Sequence, residues 1–241
     1  MLIAVLWGGL AAASLLVGFY LSSRGLSNRT IGMVMGFGAG ALLSAIAYEL
    51  VPESLLERSG LFLGVFFTLG AFTFFGIDWL IDHRGGADRK DITGKQAGSG
   101  SAIFIGTLLD NIPESIILGM GLALGGAIQV SFLVAVFVSN LPEGVAGSLN
   151  LEAAGRSRRE IFWMWMALVA ISAACTGLGY LLITWMPAAD GHLIQAFAAG
   201  AMLTMLADAM MPEAFEHGGK LVGIITVMGF LTSAILSGRE V

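Results

Sequence analysis

Eight apolar windows of about 20 residues recur along the chain, and they constrain its fold more than any other feature. A helix of that length crosses roughly 30 Å of hydrocarbon. The windows lie near 2–21, 31–56, 61–82, 101–123, 129–152, 161–186, 192–215 and 220–237. Charged residues make up only 12% of the chain, about half the share in a soluble domain. The sequence therefore predicts an all-α membrane protein, a single-domain bundle of eight transmembrane helices.

The basic residues of the connecting segments predict how these helices are oriented. If successive windows alternate in direction, ten of the 12 Lys and Arg residues fall on one side of the membrane. The other two are Arg58 and Arg239. By the positive-inside rule, we expect both termini outside and residues 84–100 in a flexible cytoplasmic loop. We expect the protein to reside in the cell (inner) membrane.

Two pairs of segments match each other without a gap. Residues 38–53 read GAGALLSAIAYELVPE and residues 198–213 read AAGAMLTMLADAMMPE. A shorter pair, 110–114 and 139–143, reads DNIPE and SNLPE. The paired windows run in opposite directions in the predicted topology, and many transporters build a site near the midplane from such inverted repeats. Chance similarity between apolar helices is the alternative explanation.

Carboxylate and amide groups lie deep within the fourth and fifth windows. An ionised side chain at the bilayer centre costs at least about 2.5–3.5 kcal/mol, so such groups indicate function. Asp110 and Glu114 are four residues apart and share a helical face, as do Ser139 and Glu143. A proline in each motif also leaves one backbone carbonyl without its helical partner. The predicted metal ligands are Asp110, Asn111, Glu114, Ser139, Asn140 and Glu143.

Further ionisable groups on the second and seventh windows extend this site into a path. Glu49 and Glu53 lie toward the outside of the second window. Asp208, Glu213 and His217 descend the seventh window toward the cytoplasm. For any one such group, a protonated carboxyl bonded to a neighbouring helix is the structural alternative.

The paired N-x-P-E units resemble the motif H-N-x-P-E-G of the ZIP family of metal transporters, and the resemblance covers nearly the whole chain. It implies eight spans in a 3+2+3 inverted-repeat architecture, uptake of a divalent metal ion toward the cytosol, and a homodimer. Besides the second copy of the chain, the expected partners are the metal ion and the lipid bilayer, and no nucleic acid is expected. Asp110 and Ser139 stand where the family commonly has histidine, which puts the identity of the ion in doubt.

The family favours zinc, whereas oxygen ligands suit harder ions such as Mn²⁺ or Fe²⁺. We predict a zinc transporter first, with iron, manganese and cadmium as alternatives and no resident cofactor. A proton- or cation-conducting channel is the main competing function. An enzyme is not expected, because neither H-E-x-x-H nor G-x-S-x-G occurs. A membrane scaffold that packs through Gly32, Gly36 and Gly40 is the remaining alternative.

Overall fold

The computed structural model of the chain describes residues 1–51, 53–86, 100–125, 130–185 and 191–238. For 53–59, 85–86, 124–125 and 191–192 it describes the backbone only. The described residues form α-helices and three short π-helical turns, and no strand occurs among them. Most of the predicted cytoplasmic loop, residues 87–99, lies outside the described residues.

The helices follow the predicted windows closely. They are α1 Leu2–Ala12, α2 Ser14–Ser22, α3 Asn28–Ala45, α4 Glu53–Ile81, α5 Gly100–Gly125, α6 Val130–Ala153, α7 Arg158–Trp185, α8 Gly191–Met205, α9 Met211–Gly218 and α10 Leu221–Ser237. The π turns are Ile46–Leu50, Asp82–Gly86 and Leu206–Met210.

Seven segments of the described chain are long and apolar enough to cross a membrane. These are Leu2–Ser22, Asn28–Leu50, Gly60–Arg84, Gly100–Ala123, Val130–Ala153, Arg158–Trp185 and Leu193–Gly218. The predicted eighth window corresponds to α10, a shorter apolar helix of 17 residues. The prediction of an all-helical membrane protein is confirmed, while the count of eight spans stays a prediction.

Local capping explains where two of the helices begin. Ser27 precedes α3, and its Oγ accepts a hydrogen bond of 3.1 Å from the backbone N–H of Thr30. Ser157 precedes α7 and exchanges bonds with Glu160, whose Oε2 accepts from the Ser157 backbone N–H at 2.8 Å. Both arrangements satisfy backbone donors that the first turn of a helix leaves without a partner.

The second and fifth spans form the centre of the bundle. In their most apolar windows, 67% of residues are buried in Asn28–Leu50 and in Val130–Ala153, against 17% in Gly60–Arg84. Outer helices expose large apolar side chains such as Leu61 and Trp163. A bilayer accommodates such surfaces, whereas water does not. The fourth span, Gly100–Ala123, is 61% buried in its most apolar window, so both helices that carry the predicted ligands lie inside the bundle.

Glycines allow two pairs of helices, α3 with α10 and α4 with α8, to approach closely. A Cβ added at Gly40 on α3 would lie 1.9 Å from the carbonyl oxygen of Thr226 on α10. A Cβ added at Gly200 on α8 would lie 1.9 Å from the carbonyl oxygen of Phe67 on α4. Gly40 and Gly200 occupy matching positions in the duplicated segments, so the two copies pack alike.

The glycine stripe of α3 packs within one molecule. A Cβ at Gly32 would lie 2.6 Å from the backbone nitrogen of Gly218, at the end of α9. A Cβ at Gly36 would lie 2.6 Å from Cγ1 of Val222 on α10. The stripe is therefore occupied by α9 and α10, so it offers no open face for a scaffold.

Both copies of the repeat contain a π turn at matching positions, Ile46–Leu50 and Leu206–Met210. After each turn, the next backbone N–H donates to the carbonyl five residues earlier: Val51 does so at 3.2 Å, and Met211 does so in the second copy. A proline follows each of these residues in the sequence. Because π turns inside helices often occur at functional sites, a π turn at the same position in both copies indicates a functional role for that position.

In the first copy of the repeat the helix ends after the π turn, whereas in the second copy it continues. This end corrects the predicted second span at 31–56. Val51 adopts φ −121° and ψ 63°, outside the helical region, and α4 begins at Glu53. Residues that precede a proline are disfavoured in the α conformation. The matching Met211 stays helical at φ −68° and ψ −48° and leads into α9. Glu53 therefore begins α4 and does not share a helix with Glu49.

Candidate metal centre

The two N-x-P-E units meet between α5 and α6 through their asparagines. Nδ2 of Asn140 donates to Oδ1 of Asn111 at 3.2 Å, and Nδ2 of Asn111 donates to the carbonyl of Thr107 at 3.0 Å. Both asparagines are buried. Because buried amides are costly unless they are hydrogen-bonded, this chain of bonds holds the two motifs in register.

A small cavity lies beside the asparagine pair, where α3, α5, α6 and the seventh span come together. Its volume is about 10 Å³, room for about one water-sized sphere. The lining residues are Met35, Glu114, Ser139, Glu143, Met205 and Met210. Glu114 and Ser139 are buried, and Glu143 is half-buried. Two carboxylates and a hydroxyl around so small a space form an arrangement that a single cation fits.

The structure thus separates the six predicted ligands into three groups. Glu114, Ser139 and Glu143 line the cavity. Asn111 and Asn140 bond to each other between the helices. The remaining residue, Asp110, is buried but does not line the cavity.

The hydroxyl of Ser139 is placed by its own helix and by α3. Its Oγ donates to the carbonyl of Val136 at 2.9 Å, so the oxygen lone pairs stay available to accept or coordinate. Gly38 of α3 lies directly behind it, since a Cβ there would be 2.8 Å from the Ser139 Cα. The absence of a side chain at Gly38 therefore sets how closely α3 approaches the site.

On the side predicted to face outside, hydrogen bonds to Glu49 connect the π turn after α3 with α6 and α10. Glu49 lies half-buried in the π turn after α3. It accepts hydrogen bonds from the Oγ of Ser131, at the start of α6, and from the Oγ of Ser237 at 2.8 Å, at the end of α10. The side chain of Glu53, the other predicted outer path residue, lies outside the described residues.

On the side predicted to face the cytoplasm, the structure gathers three groups on α9. Nδ1 of His217 lies 3.1 Å from Oε1 of Glu213. Together with Glu216 they present ligand atoms within 4.8 Å of one another, a spacing that a metal ion can bridge. Asp208 is not part of this group; it lies one segment earlier, exposed on the surface of the π turn, and Glu216 is exposed as well.

The structure adds three cavity-lining methionines and one buried carboxylate to the residues predicted from the sequence. The methionines at 35, 205 and 210 line the cavity, yet methionine in an apolar window is an ordinary core residue. Asp78 on α4 is a further buried carboxylate and is not among the residues predicted from the sequence. Its position within an apolar window was a usable signal, because ionisable groups there are rare.

The chain is similar in sequence to known zinc transporters. The zinc transporter ZupT of Salmonella arizonae is 30% identical over 224 residues, which cover 86% of this chain and 84% of the relative. The chain belongs to the ZIP family. ZupT of Salmonella heidelberg is 29% identical over 233 residues, covering 90% of this chain and 88% of that protein. No family model matches the chain.

Membership in the ZIP family identifies the chain as an integral membrane protein of a metal-transporter family. The apolar helices agree with that assignment. In this ZIP protein, the paired motifs converge on a buried cavity and their asparagines bond across the helix interface.

Proposed function

We propose that the protein transports divalent metal ions, zinc first, across the membrane toward the cytosol through the site between α5 and α6. The observation that carries this proposal is the convergence of Glu114, Ser139 and Glu143 on one buried cavity. The relatives named zinc transporter support zinc as the ion. A resident cofactor and a chemical reaction form no part of the proposal.

The carboxylates of Glu114 and Glu143 supply the charge that compensates a dication. Two ionised carboxylates close together repel each other, and a bound dication relieves that repulsion. Ser139 adds a neutral oxygen, and the bond between Asn111 and Asn140 positions both helices. Asp110 lies one helical turn before Glu114 on α5, so we assign it to the approach of the ion.

The path continues from this site in both directions. On the outer side, Glu49 contacts Ser131, which precedes Ser139 on α6 by eight residues, about 12 Å along the axis. We place Glu53 on this side as well.

On the inner side, Met210, Glu213 and His217 follow one another at spacings of three and four residues, which is one face of a helix. His217 then lies about 10 Å from Met210 along the axis. Asp208 is exposed on the single chain, so we assign it to the path where a second copy of the chain covers it.

We further propose the eight-span 3+2+3 arrangement with both termini outside, in the inner membrane, as a homodimer. Gly36 faces Val222 and Gly40 faces Thr226, so α3 and α10 run in the same direction. That direction supports α10 as an eighth span that parallels the second. The matched glycine contacts and π turns of the two copies support the inverted repeat, and the family resemblance supports the dimer.

The test is zinc uptake into proteoliposomes by the wild type and by Glu114→Gln and Glu143→Gln, which remove charge but keep size. We expect each uptake rate to fall by about tenfold or more, because a lost ligand charge weakens the hold on a dication. The matched control is Glu152→Gln, which removes the same charge from a partly exposed carboxylate that lies 2.6 Å from Arg158, away from the cavity.

Wild-type rates in both site variants would show that the ion does not pass these carboxylates. Proton flux without metal uptake in the wild type would instead support the channel.

A further inference from the structure

Methionines form half of the lining of the metal-site cavity. Met35 comes from α3, Met205 ends α8, and Met210 ends the π turn that follows. Their side chains are 1%, 3% and 5% exposed, so they belong to the interior. Among the described residues that line this cavity there is no histidine or cysteine. The soft donor atoms in the described lining are therefore thioether sulfurs rather than nitrogen or thiolate.

The π turn is the reason that two of these methionines reach one cavity. Residues five apart in a regular α-helix point about 140° away from each other, at about 100° per residue. Met205 and Met210 are five apart, yet both line the cavity because the π turn Leu206–Met210 adds a residue between them. The matching positions of the first copy are Ala45 and Leu50, so this pair of thioethers is specific to the second copy.

We propose that the thioethers of Met35, Met205 and Met210 form the soft half of the metal site and direct its preference toward thiophilic divalent cations, Cd²⁺ and Zn²⁺ over Mn²⁺. This inference rests on the proposed transport function and deepens it. Thioether sulfur is a soft ligand, whereas carboxylate, carbonyl and water oxygens suit Mn²⁺. The carboxylates alone attract every dication, so the sulfurs supply the discrimination.

The charge balance of the cavity favours neutral sulfur over further acids. The two carboxylates that line the cavity, those of Glu114 and Glu143, compensate one dication when both are ionised. A third anionic ligand would hold the ion more tightly, and a transport site must also release it. Three neutral thioethers add selectivity without adding charge. The methionine side chain is also flexible, so it can follow the ion as the site opens.

The experiment compares uptake of Cd²⁺ and Mn²⁺, presented together, into proteoliposomes that hold the wild type or the triple variant Met35→Leu, Met205→Leu, Met210→Leu. Leucine is close in volume and lacks sulfur, and such replacements usually cost less than about 1.5 kcal/mol each. We expect the Cd²⁺ to Mn²⁺ uptake ratio to fall by about tenfold. The control is Met202→Leu, a buried methionine on α8 that does not line the cavity.

X-ray absorption of the Cd²⁺-loaded protein gives a second readout, which does not depend on transport. We expect sulfur neighbours of Cd²⁺ in the wild type and their loss in the triple variant. If the triple variant does not fold, the three single variants are measured, and each should lower the ratio in part.

An unchanged ratio, or a shell of oxygen atoms alone around wild-type Cd²⁺, would overturn the thioether inference while leaving transport intact. A wild type that moves neither ion would overturn the proposed function and this inference with it.

Discussion

Replacing Gly38 with alanine tests whether the spacing of α3 and α6 controls the metal site. The new Cβ would lie 2.8 Å from the Cα and 3.1 Å from the backbone nitrogen of Ser139. Carbon atoms pack comfortably at about 3.5–4.0 Å, so the helices must separate by about 0.7 Å or more. Because these atoms are backbone, no side-chain rotation relieves the contact.

The same substitution should affect stability less than transport. Overpacking costs about 1–3 kcal/mol, and alanine recovers about 1 kcal/mol through its higher helix propensity. The net loss is therefore at most about 2 kcal/mol, or about 8 °C in unfolding temperature. Functional groups must be held within about 0.5 Å, so a 0.7 Å shift of Ser139 exceeds that tolerance.

The assay is the initial rate of zinc uptake into proteoliposomes, with the thermal unfolding of the same protein measured in detergent. We expect Gly38→Ala to lower the rate by about tenfold, in line with misplacement of a ligand beyond that tolerance. Gly76→Ala on α4 is the matched control, because nothing lies within 4 Å of its added Cβ. If Gly38→Ala transports zinc at the wild-type rate, the close approach of α3 does not govern the site.

Two further predictions concern packing. Gly40→Ala and Gly200→Ala should lower the unfolding temperature by similar amounts, because each added Cβ would lie 1.9 Å from a backbone oxygen. If the two losses of stability differ by more than about 1 kcal/mol, the two copies of the repeat do not pack alike. Trp165→Phe removes the buried 2.9 Å hydrogen bond that Nε1 donates to Oγ of Ser148. The free energy of unfolding, measured with a chemical denaturant, should fall by about 1 kcal/mol, and zinc uptake should stay unchanged. A loss of zinc uptake would show that α7 takes part in transport.

Much of the fold was predictable because the signal for a membrane helix is local. A run of about 20 apolar residues satisfies its own backbone and needs no distant partner to span lipid. The bounds of α5, α6 and α7 accordingly fall within a few residues of the predicted windows. The error at 31–56 came from Pro52, because a residue that precedes a proline is disfavoured in the α conformation and Val51 leaves the helical region.

The candidate ligands were also visible in the sequence, because polar groups stand out against an apolar background. Asn111 and Asn140 stand out in this way, and the structure brings them within hydrogen-bonding distance. Their partnership across α5 and α6 was not deducible from spacing along either helix. It depends on how the two helices pack.

The sequence by itself determined that the chain is helical, spans the membrane, and carries acids where lipid would otherwise exclude them. The tertiary structure alone decided which groups share a cavity. It brought in three methionines and left Asp110 outside the lining. A thioether carries no charge that marks it in an apolar window, and the π turn after Met205 shifts the direction of Met210 away from the regular helical period. Helical periodicity places residues on one helix, whereas a site between four segments depends on contacts across them.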